Sequence, residues 1–349
     1  MTHFNTPRYV LYIFCMLTII PCATRTEGTE RSTSITIEGA YSLPDQMGYG
    51  VGEGGFAPIS FNSVENTVFS SPPDNGRDLG LGWGAAKVQV LLSHRIVVPL
   101  LVGVGPLMSG NTITYTFTGA LSPVSVRLEA QTTLTPIVFF NVFAGAMIGT
   151  GWNVGAFNGI GLNVDGSGVI ESSSFKGIVS NLWIGNTFQF DLAAVIPGEW
   201  THFVVLIKPK LQYAFFSGAD RDEAWVWEAD NGENFNAFQF HGTYFIGYQM
   251  PMVLDTAGLL VETVQNLGYV KDLSPMDSGG WGSDHVQITL SPLFNFALSE
   301  SSALTVLFQL RRERLYDEPS IFANYFRNRR ATGTYWDFYR IALSYNLKL

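Results

Sequence analysis

The sequence predicts an all-β fold: a transmembrane antiparallel up-and-down β-barrel of about 14 strands, with 12 as the alternative. Three observations predict it. First, the closing stretch Tyr339 to Leu349 places apolar side chains at every odd position and polar or small ones at every even position. Strand side chains alternate faces, so one face is continuously apolar over about the 9–11 residues that a tilted membrane strand needs. Second, Arg8 precedes an apolar run from Tyr9 to Ile20, too short to cross a membrane as a helix and suited to the core of a secretory signal peptide. Third, charged and aromatic residues each make up 14% of the chain and Gly occurs 36 times, yet no later apolar run approaches a membrane helix. Barrels hide apolar content by alternation, and a sheet in lipid must close because its edges cannot be hydrated.

The leader is expected over residues 1–23 and the barrel over 24–349. Cleavage is placed near Ala23, although Pro21 fits poorly at that motif. Ile19-Ile20-Pro21-Cys22 approximates a lipoprotein box, which proline before the cysteine argues against. Cys15 and Cys22 are the 2 cysteines and both fall in the leader, so no disulfide, thiolate metal site or cysteine nucleophile is expected beyond it. Removing the leader takes away Arg8, leaving 19 basic against 29 acidic residues, a net charge of −10. That balance argues against a nucleic-acid partner.

In chain order, strands are expected near 33–43, 57–69, 83–92, 96–106, 110–120, 123–134, 136–149, 178–194, 200–216, 235–249, 252–266, 284–298, 302–315 and 334–349. Short turns fall at Pro106–Gly110, Thr133–Thr135, Pro197-Gly198-Glu199, Met250-Pro251 and Ser299–Ser302. Long connections cover about 150–177, 217–234, 267–283 and 316–333. Short turns on the side of the termini and long loops on the other are the asymmetry of bacterial barrels. Alternation turns Val286, Ile288, Leu290, Phe294 and Phe296 outward, and His285, Gln287, Thr289, Ser291 and Asn295 inward. Pro209 and Pro292 interrupt outward faces and predict bulges or strand ends there.

The polar face gives the candidate site. His202, Lys208, Gln212, Gln239, His241, Gln287, Gln309, Arg311 and Arg340 are expected to line the lumen, with Arg311 and Arg340 tuning selectivity. Mixed charge with many amides suits hydrated contacts and fits poorly a tunnel for bulk lipid. Other motifs carry less. Gly50-Val51-Gly52-Glu53-Gly54-Gly55 matches a dinucleotide-binding pattern but lacks the strand and helix that the chemistry needs. His94, His202, His241 and His285 have no zinc-site spacing, and Ser278 near His285 lacks a nucleophile elbow. The acidic loop from Asp220 to Glu233 carries Trp225 and Trp227 but no EF-hand spacing, and reads as a solvated external loop. Arg327, Arg329 and Arg330 offer either an anionic surface contact or pairing with such carboxylates. No catalytic residue, metal or cofactor is expected.

Gly232-Glu233-Asn234-Phe235, Gly242 to Tyr248, Trp281-Gly282-Ser283-Asp284 and the closing strand resemble spirochaetal outer-membrane proteins of unassigned function. The resemblance implies a bacterial outer-membrane barrel and brings no activity or functional residues. Expected partners are outer-membrane lipid, small solutes, and the barrel assembly machinery through Tyr339 to Leu349, where Leu349 replaces the usual terminal Phe. The expected function is porin-like diffusion of small hydrophilic solutes. The alternatives are a plugged barrel carrying a specific or hydrophobic ligand (FadL-like), and a surface adhesin acting through its long loops.

Overall fold

Twelve strands form the wall. In the computed structural model, which describes residues 28–42, 58–60, 85–105, 107–154, 157–163, 170–228, 232–317 and 326–349, these are β1 (Glu30–Ser42), β2 (Ala85–Pro99), β3 (Thr112–Leu121), β4 (Ser125–Ile137), β5 (Phe140–Gly151) and β6 (Val179–Asp191), then β7 (Phe203–Phe216), β8 (Ala237–Gln249), β9 (Leu254–Asn266), β10 (Val286–Ala297), β11 (Ser302–Tyr316) and β12 (Ala331–Lys348). Each pairs antiparallel with its chain neighbours, and β1 pairs with both β2 and β12, so the sheet closes. Closure removes every edge. The expected leader and the Gly50 to Gly55 loop lie outside the described residues.

The count is 12, not 14, for two reasons. The expected strands 83–92 and 96–106 are one: the polar run Ser93-His94-Arg95 continues the ladder, opposite Ser34, Thr33 and Ser32 of β1. Thr33 Oγ1 meets His94 Nδ1 at 3.0 Å, so a polar run that reads as a turn is satisfied across the strand pair. Of the expected strand 57–69, only Pro58–Ser60 is described, three residues that pair with Ala85 to Lys87, and the rest lies outside the described residues. Thr133–Thr135 is likewise no turn, since it lies inside β4 and the reversal falls at Val138-Phe139.

At the end that carries the termini, the connections are 100–111, 138–139, 192–202, 250–253 and 298–301. At the other end they are 43–84, 122–124, 152–178, 217–236, 267–285 and 317–330. Long and short therefore alternate as expected from β5 onward, while 122–124 is short on the long-loop side. The prolines correct a further expectation. Pro209 pairs with Gly242 and Pro292 with Leu259 in unbroken register, so neither marks a bulge or an end. Each instead leaves a lapse in the ladder to its other neighbour, β6 for Pro209 and β11 for Pro292, where a ring nitrogen has no proton to give.

The outer face is apolar around the ring: Leu92, Leu128, Ile184, Ile207, Ile246 and Leu343 are all exposed. A charge on such a face at mid-bilayer costs about 2–4 kcal/mol, which fixes the polar faces inward. Twelve strands about 4.8 Å apart, tilted about 40°, enclose a backbone cylinder of roughly 12 Å radius. Long side chains from opposite walls can therefore meet.

Beyond the long-loop end the chain builds a cap. Ile160–Asn163 pairs with both Ile170–Ser172 and Ala224–Trp227 in a small sheet. Ile160, Trp225 and Val226 are buried there, packed on Met147, Val179 and Phe216 from the wall tops. A second cluster joins Phe235, Val270 and Trp281, with the Phe235 and Trp281 rings stacked at 6.2 Å. Ala224 to Glu228 are thus folded structure and not solvated loop, whereas Asp220 to Glu223 are exposed as expected. Burying a tryptophan is worth more than exposing it, so Trp225 turns in.

Candidate functional site

The upper lumen is crowded on the side of β10 to β12. Gln309 donates through Nε2 to Ser291 Oγ at 3.1 Å and accepts from Arg340 Nε at 2.5 Å. Gln309 is 3% exposed, and Arg311 and Arg340 are each 8% exposed. A β-bulge explains how two arginines pack this closely. Gln309 faces Arg340 while the next residue, Leu310, faces Phe338, which leaves Tyr339 as the extra residue. Strict alternation puts Tyr339 outward; the bulge turns it inward beside Arg340. Its buried ring lies 3.3 Å from the Arg311 guanidinium and 4.7 Å from that of Arg340. Desolvated cation–π contacts are worth about 2 kcal/mol, and Arg311 also lies 3.6 Å from Glu313 Oε1, so ring and carboxylate together offset the repulsion between the two cations.

Above this layer, the 217–236 connection ties to opposite walls. Glu228 Oε1 accepts from Arg127 Nη1 of β4 at 2.5 Å and from Ser125 Oγ at 2.8 Å. Glu233 is ion-paired with Arg314 of β11. β4 and β11 stand five strands apart one way round the ring and seven the other, nearly a diameter. Trp225 and Asn234 pair backbone to backbone in both directions, so Glu228 and Glu233 lie on chain segments held side by side, and the inward-reaching arginine side chains span the rest of the mouth. Arg127 also binds Glu129 at 2.8 Å, and Arg314 lies 5.4 Å from the Trp281 ring. Charges buried this deeply require partners, and the strap supplies them.

Beneath the strap lies a cavity of about 210 Å³, lined by Gln239, Asn266, His285, Gln287, Arg311 and Arg314 among others. His285 Nε2 donates to the Arg312 carbonyl at 3.2 Å. Burial first, and then Arg314, hold its imidazole down at about 4, so it is neutral near pH 7. On the outer cap, burial and Asp222 push the Tyr269 phenol up to about 12; its hydroxyl donates to the Arg221 carbonyl. Ser278 makes no hydrogen bond to His285.

Lower down, β6 to β8 present a different wall. Lys208 Nζ lies 4.9 Å from the Phe143 ring, and Lys210 Nζ lies 6.0 Å from the Trp183 ring and donates to Gln212 Oε1 at 2.8 Å. Trp183 leans across Gly145, where a Cβ would come within 2.5 Å of the indole, and donates to Gln131 Oε1 at 3.0 Å. His241 faces Lys210 in the ladder, and its Nε2 is buried with no hydrogen-bond partner.

Of the expected lining residues, the structure brings Gln239, Gln287 and Arg311 to the cavity, joins Gln309 to Arg340, and groups Lys208, Gln212 and His241 on another wall. His202 stands at the lower rim, apart from the others. β7 starts at Phe203, and His202 lies in the preceding turn, its Nδ1 2.7 Å from Asp191 Oδ2. Asp191 caps the short 3-10 helix Leu192–Ala194, which ends the expected strand 178–194 early. Arg327 donates to the Asp222 carbonyl, and Arg329 is buried over the Tyr316 ring, so both serve the cap. Sequence reasoning missed Arg127 with Glu129, although Val126-Arg127-Leu128-Glu129-Ala130-Gln131 alternates clearly. It also missed the inward Leu206, Phe245 and Leu260. The signal for these was the unbroken apolar runs Val204 to Ile207 and Leu259 to Val261, which mark strands apolar on both faces.

No protein-family model and no curated protein matches the chain. Among solved structures, a Pseudomonas aeruginosa FadL homologue matches at 10% identity and TM-score 0.29, covering 91% of this chain and 90% of that one. A variant of Rh. blastica porin matches at 6% identity and TM-score 0.27, covering 92% of this chain and 100% of that one. At scores this low, neither likeness bears on function.

Proposed function

We propose that this chain is a bacterial outer-membrane transport barrel held closed at its external mouth. The observation that carries this reading is the strap: Glu228 bound to Arg127 and Glu233 bound to Arg314 on nearly opposite walls. The membrane address is supported by the closed sheet, the apolar outer face, the alternating last strand and the resemblance to spirochaetal outer-membrane proteins. The test is single-channel recording of refolded residues 24–349 in a planar bilayer. A folded wild type that is silent, with discrete steps from the Glu228→Gln/Glu233→Gln double variant, supports a strapped mouth. Steady ohmic steps from the wild type overturn it.

The second reading is porin-like diffusion of small hydrophilic solutes. The polar lining of the cavity beneath the strap favours it. Under that reading, Arg311 and Arg340 set ion preference, and neutralising both moves the reversal potential in a salt gradient.

A further inference from the structure

The lower lumen carries a feature that its polar residues hide. Leu206 faces Phe245 and Phe245 faces Leu260 in successive ladders, and Leu293 faces Leu307. Leu293 pairs with Gly258, two residues along β9 from Leu260, so the two sets meet on the diagonal. All five share the inward face and are only partly buried. Together they form an oblique apolar stripe across β7 to β11, about 19 Å along the wall at the usual strand spacing. Across the lumen, the inward face of β1 to β3 carries the small residues Thr36, Ser93, Thr116 and Thr118 together with Leu91 and Arg95.

Cationic groups stand directly above the stripe. Lys208 and Lys210 follow Leu206 on the same face of β7, and among the described residues neither has a carboxylate within ion-pair distance. Glu262 on the inward face of β9 and Glu129 on that of β4 lie near Lys210, but Glu129 is ion-paired with Arg127 and neither carboxylate is ion-paired with either lysine. The unpartnered Nε2 of His241 adds a polar group beside Lys210.

We infer that the lumen binds a monoanionic amphiphile, its head group at Lys208 and Lys210 and its alkyl chain along Leu206, Phe245, Leu260, Leu293 and Leu307. This names a ligand class for the transport barrel proposed above and rests on that reading. The apolar wall excludes a fully hydrophilic solute as the best fit, and the lysines exclude a cationic head.

The test is equilibrium binding of radiolabelled laurate to the refolded chain in amphipol, with folding checked by heat-modifiable migration. Saturable binding at one site is expected, weakened at least tenfold in Lys208→Gln/Lys210→Gln and in Leu260→Asn/Leu293→Asn. Dodecyltrimethylammonium should not compete. Non-saturable uptake, wild-type affinity in both folded variants, or equal competition by the cation overturns the site. The assay reads occupancy and not passage. Failed binding therefore removes the ligand assignment, whereas binding without strap-dependent conductance removes the gating instead.

Discussion

Releasing the strap should open the mouth by a calculable factor. The Glu228 and Arg127 side chains are 9% and 13% exposed, and Glu233 and Arg314 are 22% and 10% exposed. A hydrogen bond to a charged group is worth about 1.5–3 kcal/mol, so Glu228→Gln should weaken closure by about 2 kcal/mol. The more exposed Glu233→Gln should weaken it by about 1.5 kcal/mol. The strap must leave both anchors to open, so the effects add to about 3.5 kcal/mol, roughly 300-fold in the open-to-closed ratio. Open probability in a planar bilayer reads this directly. Each single variant should rise about 10–30-fold, and exchanging the charges at positions 127 and 228 should recover part of the closure. A folded double variant that opens no more often than the wild type would refute the reasoning.

Other outcomes follow from the same structure. Deleting Tyr339 removes the bulged residue and leaves Phe338 outward and Arg340 inward, so that barrel should still fold and show heat-modifiable migration. Deleting Ser344 instead turns Tyr345 and Leu347 inward and should abolish that migration. Trp225→Ala empties a buried site in the cap and should cost it about 3–5 kcal/mol, seen as faster trypsin cleavage at Arg221 while the wall stays resistant. His285 titrates near 4 when folded against an unfolded value of 6.5, so the unfolded segment binds protons first as pH falls. Its contribution is present above 6.5 and lost toward pH 4, by at most about 3 kcal/mol. Protection of the amides of residues 267–285, corrected for the slower intrinsic exchange at lower pH, should fall over that window in the wild type and stay flat in His285→Gln.

Much of the wall was legible because its signal is local. Period-two alternation needs only neighbouring residues, and it placed β6 to β12 within a few positions of where they lie. Ser93-His94-Arg95 misled because the hydroxyl that satisfies His94 belongs to β1, 61 residues away. Tyr339 misled because a bulge is a property of two strands: nothing in Tyr339-Arg340 alone shows that Gln309 and Leu310 skip a residue. The site was harder still. Glu228 and Arg127 are 101 residues apart and Glu233 and Arg314 are 81 apart, so no window of sequence holds either pair. The inward leucines were overlooked because a polar lumen was assumed, whereas consecutive apolar residues had already marked both faces.

The strap also bears on shape. A ring of hydrogen-bonded strands resists changes in circumference but flattens easily into an ellipse, since flattening keeps every neighbour distance. Glu228 and Glu233 fasten a chord between β4 and β11, and a chord fixes one diameter. Lateral squeeze that lengthens that diameter pulls directly on the two ion pairs, while squeeze along it slackens them. The barrel is therefore stiff in one direction and compliant in the other, and in the membrane proposed above, bilayer stress would act on the same bonds proposed to hold the mouth shut.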